Sequence, residues 1–435
     1  MIDSVAYFFY YVFSGIISFF SYIFSIPWLF GFWTFSLTVI LAYVAFIAWR
    51  HYVQQKFISG IDWVLLEIVP PRDVERSPKA MELFFSNALY QITQKSLWEK
   101  YITGATIFNF SLEIVSLGGQ VHFFIRAPRR VKELIETQMY AQYPQAQIKE
   151  VDDYTLAVDK ISKDSKWNLW GCEFGLEKHE IYPVKTYVDF GLEKDPKEEF
   201  KVDPISPVIE LFGSIGKDEQ MWCQIVVAAS SKKYHTKGTW FKKHGFKDEA
   251  EKQIYKLLKP FTSVKDEGAR IEVRVPDFLK KPVEGITNKM SKLIFDCGIR
   301  VCYVAKKEAF IDNSRRNLRL IFRQYSLPFV NSFSRLNSTQ FQYPWQFTKK
   351  SLLKLKDRML EEYRNRLFFY LPMRHHIPVP WPITIFFPKY SHHKIIVLNT
   401  EELATIWHFP GQILKVPTLE RIESREATPP SNLPI

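Results

Sequence analysis

The chain has 435 residues, a formal net charge of +12, 47% hydrophobic residues and 24% charged ones. That apolar content excludes an intrinsically disordered protein, and four cysteines without CxxC spacing, Cys172, Cys223, Cys297 and Cys302, exclude a disulfide framework and read as small buried residues. The basic balance favours acidic partners without choosing among an anionic leaflet, nucleic acid and an acidic protein face.

From Ser4 to Trp49 there is no Asp, Glu, Lys or Arg. A bilayer core about 30 Å thick needs roughly 20 apolar residues of helix, so the stretch is long enough for two crossings. Pro27 divides it into expected helices over about 5–25 and 28–49, within an anchor spanning 1–56. A secretory signal is disfavoured because Met1-Ile2-Asp3 is acidic rather than basic. The Phe- and Tyr-rich first segment also suits a position along the interface. Arg50, His51, Lys56 and Arg72 lie beyond the second segment, whereas Ser25 to Trp28 carries no basic residue. The positive-inside tendency therefore puts the carboxy-terminal body in the cytoplasm, on the inner (cytoplasmic) membrane.

The residues after the anchor suit two domains of about 100–200 residues each. In the first, 61–156, Trp63–Val69 reads as a strand ended by Pro70-Pro71, and Ser77-Pro78 opens a helix running to about Ile92. Phe108–Ser116 and Val121–Arg126 form a hairpin around Gly118-Gly119. A helix over Arg129–Tyr140 and a strand at Gln147–Val151 complete the order β-α-β-β-α-β, the split ferredoxin-like unit.

The charged stretch Asp159–Lys166 separates a second unit, 170–330. Its expected elements are an alternating strand at Ile181–Phe190, a helix at Ile205–Phe212 and a strand at Met221–Ala229. An insertion at 230–259 comes next, with its own helix at Lys247–Leu258. Beyond it come a helix at Val283–Phe295, a strand at Arg300–Ala305 and a helix at Ile311–Tyr325. The order again resembles a ferredoxin-like half, although no short repeat marks a duplication. Residues 331–411 read as an irregular connector with a helix at Leu352–Asn365, a strand at Lys394–Leu398 and a helix at Glu401–Trp407. The Asn399-Thr400-Glu401-Glu402 run gives that last helix a capped, acidic start. Residues 412–435 form a Pro-rich tail. The expected class is α+β, with transmembrane helices preceding tandem ferredoxin-like units.

No catalytic constellation is visible. Gly213-Ser214-Ile215-Gly216-Lys217 lacks both the spacer and the Ser/Thr of a nucleotide-binding loop and reads as a turn. The doublets His375-His376 and His392-His393 contain four imidazoles. Without a nearby Cys or acidic residue they read as surface or interface histidines, and no metal, cofactor or small-molecule substrate is expected. The insertion interleaves Lys232, Lys233, Lys237, Lys242 and Lys243 with aromatics. Such a run lies against solvent or anionic lipid, or it tracks a nucleic-acid backbone.

Several strings carry a family resemblance: RSPKAMELFFSNAL at Arg76–Leu89, FSLEIVS at Phe110–Ser116, QMYAQYPQAQIKEVDDY at Gln138–Tyr154, LNTEELATIWHFPG at Leu398–Gly411 and VPTLERIESREATPPSNLPI at Val416–Ile435. Together they resemble the amino-terminal, membrane-anchored region of conjugation-type coupling ATPases of type IV secretion-like systems in small-genome bacteria. That region is itself a domain of unknown function. In those proteins the ELATIWHFPG-like helix and a Pro-rich connector lead into an ATPase of the FtsK/HerA type, whereas this chain ends at Ile435. The resemblance implies a membrane-tethered, non-catalytic scaffold that recruits or positions a separately encoded translocating ATPase. The expected contacts are the tail together with Leu403, Ile406, Trp407, Phe409 and Pro410. The competing expectation is a membrane-tethered nucleic-acid-binding protein that uses the basic insertion.

Overall fold

The computed structural model describes residues 14, 15, 18, 27–71, 76–92, 95–193, 203–235, 243–261, 276–327, 330–340, 349–370 and 393–411. Two compact units separate. One holds the described parts of 1–60 and 95–106, and the other holds those of 61–94, 107–371 and 378–435.

The first unit is built on helix α1 (Pro27–Ser59). It runs past the expected end at 49, because Arg50, His51 and Lys56 simply continue the helix. Its Gly31–Ser59 portion is long and apolar enough to cross a membrane. Phe32, Phe35, Leu41 and Val44 are all more than half exposed, so the helix is apolar where a soluble surface helix would be polar. Thr34 and Ser36 donate to the carbonyls of Gly31 and Trp33, both at 3.0 Å, which satisfies their hydroxyls within the helix. Near the end of α1, Trp49 Nε1 donates to the Tyr101 carbonyl at 3.0 Å. Gly104 sits at φ +72, where a Cβ would fall 2.3 Å from the Val53 carbonyl oxygen, so this approach requires glycine. The expected helix over about 5–25 lies almost wholly outside the described residues.

The second unit is organised by one nine-stranded sheet. In chain order it comprises β1 (Trp63–Val69), α2 (Lys79–Phe84, continued by a wider turn at Phe85–Leu89), β2 (Asn109–Leu117), β3 (Gln120–Pro128), α3 (Lys132–Gln142), β4 (Gln147–Val151), β5 (Trp167–Leu176), α4 (Ser206–Gly213) and β6 (Glu219–Ala229). Next come a small hairpin of β7 (Tyr234–His235) and β8 (Lys243–His244), then α5 (Phe246–Leu258), α6 (Asp277–Ser291), β9 (Ile294–Lys306), α7 (Asp312–Leu318), β10 (Phe333–Leu336), α8 (Lys349–Arg364), β11 (Ile396–Asn399) and α9 (Thr400–Ile406).

The strand order is β10-β5-β9-β6-β2-β3-β1-β4, with β11 pairing the start of β9. Every pairing is antiparallel. Within each group of four the order is fourth, first, third, second. The two groups meet along β2 and β6, from Asn109↔Ala228 to Leu117↔Gln220. This is a mixed α/β architecture with an antiparallel sheet whose central strands are buried almost throughout.

Several expectations change. Ile181–Phe190 is not a strand: Pro183 lacks an amide hydrogen, and the amides of Val184 and Tyr187 go to side chains of Glu402 and Thr405 at 2.9 and 2.8 Å. The strand that opens the second group is β5, buried over most of its length, so that Glu173 and two glycines lie inside it and no alternation of apolar and polar residues marks it. β9 begins at Ile294, inside the expected helix over Val283–Phe295. The helix expected over Ile311–Tyr325 stops at Leu318. The described parts of 331–411 contribute β10, α8, β11 and α9 to the sheet and its core, and the expected helix, strand and helix lie at Lys349–Arg364, Ile396–Asn399 and Thr400–Ile406.

α8 packs on one face of the sheet, where Met359, Leu360 and Tyr363 join Leu65, Val115, Phe124, Leu169, Trp222 and Val304 in one cluster. Phe123, one residue on from Val121-His122 and paired with Ile68 and Ile114, faces the opposite side, towards α9. There Trp407 meets Phe85 and Phe123, and Phe409 meets Tyr143.

Candidate functional site

The residues expected to face a partner lie inside the chain's own core. Leu403 and Trp407 have no exposed surface, Ile406 and Phe409 have 2%, and Pro410 is buried. Trp407 Nε1 points to the Glu113 carbonyl at 3.4 Å, and His408 bridges the Ala404 carbonyl and the Asp203 carboxylate. The expectation of a docking helix is therefore corrected: the IWHF string is an aromatic plug on the sheet, because its large side chains lose more water by filling that face than by waiting for a partner. The cap of α9 does form. Asn399 Oδ1 accepts from the Glu402 amide, and Glu402 Oε2 accepts from the Asn399 amide. The Pro-rich tail lies outside the described residues.

In the basic insertion, Lys232 is held by Glu180 at 2.6 Å, and Tyr234 donates to the same carboxylate at 2.7 Å. Lys233 and Lys243 are exposed, and Lys237 and Lys242 lie outside the described residues. Of the three described lysines, Lys232 is committed to an internal ion pair.

What sequence reasoning missed is a polar row crossing four strands. The register pairs Glu113 with Gln224, Gln224 with Arg300, and Arg300 with Glu173, all essentially closed to solvent. Around Glu113, Arg366 donates from Nε at 2.9 Å and from Nη2 at 3.2 Å and also pairs with Asp153. Ser111, Tyr154 and Gln224 add further donors to the Glu113 carboxylate. Around Glu173, Arg300 donates from Nη2 at 2.7 Å, Asn337 at 2.7 Å, and His393 Nδ1 lies at 2.6 Å. Arg300 also reaches Glu362 at 3.5 Å.

Asn337 and Arg366 are the non-glycine residues at positive φ among the described residues, at +43 and +52. Each aims its side chain into one of these two glutamates. An αL backbone costs about 1–3 kcal/mol for such residues, and a buried carboxylate left without its donor costs more. Burial works to raise the Glu113, Asp153 and Glu173 carboxyls, but the neighbouring guanidinium charges and hydrogen bonds outweigh it and hold all three below their usual range. A charged residue in the middle of an apolar strand, as in FSLEIVS, GCEFG and GIRVC, is the sequence signal that could have revealed the row.

His393 is a second correction. Its side chain is 2% exposed, not on the surface, because Glu173 and Glu362 arrive from distant strands and helices to meet it. His375, His376 and His392 lie outside the described residues. Ligand atoms of Glu173, Glu362 and His393 fall within 4.8 Å of one another, the spacing of a metal site. Arg300 already places its guanidinium against both carboxylates. Arg358 Nε adds a second guanidinium to Glu362 at 2.8 Å, so the cations that balance the pair are the chain's own and the centre fits a structural clamp better than a metal.

Gly213–Lys217 leaves the end of α4 and leads into β6. A phosphate cradle runs the other way, from strand to helix. A cavity of ≈ 380 Å³ opens between α7 and α8, lined by Trp170, Phe310, Arg315, Leu352 and Lys356 among others.

No curated protein matches the chain. A family model, that of the domain of unknown function DUF8128, matches residues 53–417, and the chain belongs to that family.

Proposed function

We propose that this member of the DUF8128 family is a membrane-anchored scaffold on the cytoplasmic side of the inner membrane. In this reading it recruits or positions a separately encoded DNA- or protein-translocating ATPase of a type IV secretion-like system. The observation that carries the anchor is α1, whose Gly31–Ser59 stretch exposes Phe32, Phe35, Leu41 and Val44 along a helix of spanning length. Arg50, His51 and Lys56 near its carboxy-terminal end support a cytoplasmic position for the sheet-bearing body.

A scaffold role draws support from the buried charges. Glu113–Arg366, Glu173–Arg300 and Lys289–Glu402 tie distant segments together and satisfy one another. Such pairs favour one arrangement of a rigid body. The repeated fourth-first-third-second strand order supports reading the body as two ferredoxin-like units joined edge to edge through β2 and β6. The ATPase as partner rests on the strings that resemble coupling proteins.

The test is co-expression of the full chain with the anchorless translocating ATPase of the same genome. Detergent extraction should recover the ATPase with the chain, and deleting residues 417–435 should weaken that recovery. Equal recovery of the ATPase from membranes that lack the chain contradicts the reading.

A further inference from the structure

The cavity between α7 and α8 carries more positive charge than its surroundings neutralise. Arg315 and Lys356 line it. Asp312 is shared between Arg315 at 2.6 Å and Arg316 at 3.1 Å. Lys356 donates to the neutral Asn168 at 2.7 Å and lies 6.0 Å from the centre of the Phe310 ring. The cavity is lined by two cations, Arg315 and Lys356, and the Asp312 carboxylate beside them is shared with the largely exposed Arg316. Trp170 Nε1 and Arg315 Nε are buried beside the cavity with no hydrogen-bond partner among the described residues. A buried donor left unsatisfied is costly, and like charges held together are costlier still. An anion placed between Arg315 and Lys356 relieves the repulsion.

We propose that this cavity binds a small organic phosphate monoester, with Arg315 and Lys356 on the phosphate oxygens and Phe310, Leu352 and Trp170 against the organic part. A pair of lining cations suits a phosphate monoester, which carries about −1.5 to −2 near neutral pH, better than it suits a singly charged carboxylate. A volume of ≈ 380 Å³ falls within the range of small-molecule sites, about 300–1,000 Å³, and leaves room beyond the phosphate for an apolar group. The site is independent of the ATPase reading.

Burial, helped by the charge of Arg315, brings the Lys356 ammonium down to about 8. The groups facing it are Arg315 with Asp312 behind it on α7, Asn168 on β5 and the Phe310 ring. An anion selects the protonated amine. Affinity is therefore greatest while Lys356 is charged and falls as pH rises through about 8.

The experiment is calorimetric titration of phenyl phosphate, inorganic phosphate and benzoate into the full chain held in neutral-lipid nanodiscs. Phenyl phosphate should bind best, and its affinity should fall about tenfold between about pH 7 and about pH 9. Lys356→Met and Arg315→Gln should each weaken binding about tenfold or more, and Lys356→Met should abolish the pH dependence. The melting temperature of Lys356→Met without ligand should stay level or rise, which separates loss of a ligand contact from loss of fold. Phosphatidic acid in the nanodisc that suppresses the phenyl phosphate heat identifies a lipid headgroup as the source; an unchanged titration identifies a soluble phosphate. No phenyl phosphate binding by the unaltered chain, or equal binding by Lys356→Met, overturns the proposal.

Discussion

Lys289 Nζ lies 2.9 Å from Glu402 Oε2 with both side chains closed to solvent. The ammonium also donates to the Val397 carbonyl, and the carboxylate accepts from the amides of Val184 and Asn399. One buried pair thus joins α6, the cap of α9 and the loop after β5. Lys289→Met should cost about 3–5 kcal/mol, because it strands a buried carboxylate. Adding Glu402→Gln should recover part of that loss, since a glutamine oxygen still accepts from the Val184 amide. Chemical denaturation followed by tryptophan fluorescence measures both.

Trp407 separates a core role from a docking role. Trp407→Ala should destabilise the folded body by about 3–5 kcal/mol, visible as a lower denaturation midpoint in the absence of any partner. Unchanged stability with lost partner binding would instead restore the helix as a contact surface.

The depressed carboxyls of Glu113, Asp153 and Glu173 set the response to acid. A carboxyl whose folded value lies below its unfolded value contributes stability that is fully present above the unfolded value, about 4. That contribution disappears as pH falls through the lower, folded value. Unfolding free energy should therefore hold level from neutral pH down to about 5 and drop steeply below about 4. Asp153→Asn should make the drop shallower.

The four thiols are all buried, and burial pushes each of them up, Cys302 to about 12. Native protein should react with an aromatic disulfide reagent far more slowly than denatured protein, in which all four titrate. Rapid labelling of the folded chain would show that β5, β6 and β9 open readily.

Much of the first group of strands is legible in the residues themselves. Trp63–Val69 and Gln147–Val151 end where turn residues say they should, and the Gly118-Gly119 turn joins β2 to β3. The Asn399–Glu402 cap is legible for the same reason: its chemistry is local. The loop at 181–190 is not, because its alternation mimics a strand while its amides are bonded 218 residues away. The polar row is equally hidden. Glu173 and His393 are 220 residues apart in the chain, and only the pairing of β5 with β9 brings Arg300 between them and α8. A lysine run, by contrast, is conspicuous in sequence, yet Lys232 is spent on Glu180.

The tether is tested most directly by the fate of the full chain in membranes. An anchored chain stays in the pellet after an alkaline carbonate wash, and protease digests its body in inside-out vesicles while leaving it intact in right-side-out ones. Recovery in the aqueous fraction without detergent, or digestion of the body from outside intact cells, would contradict it.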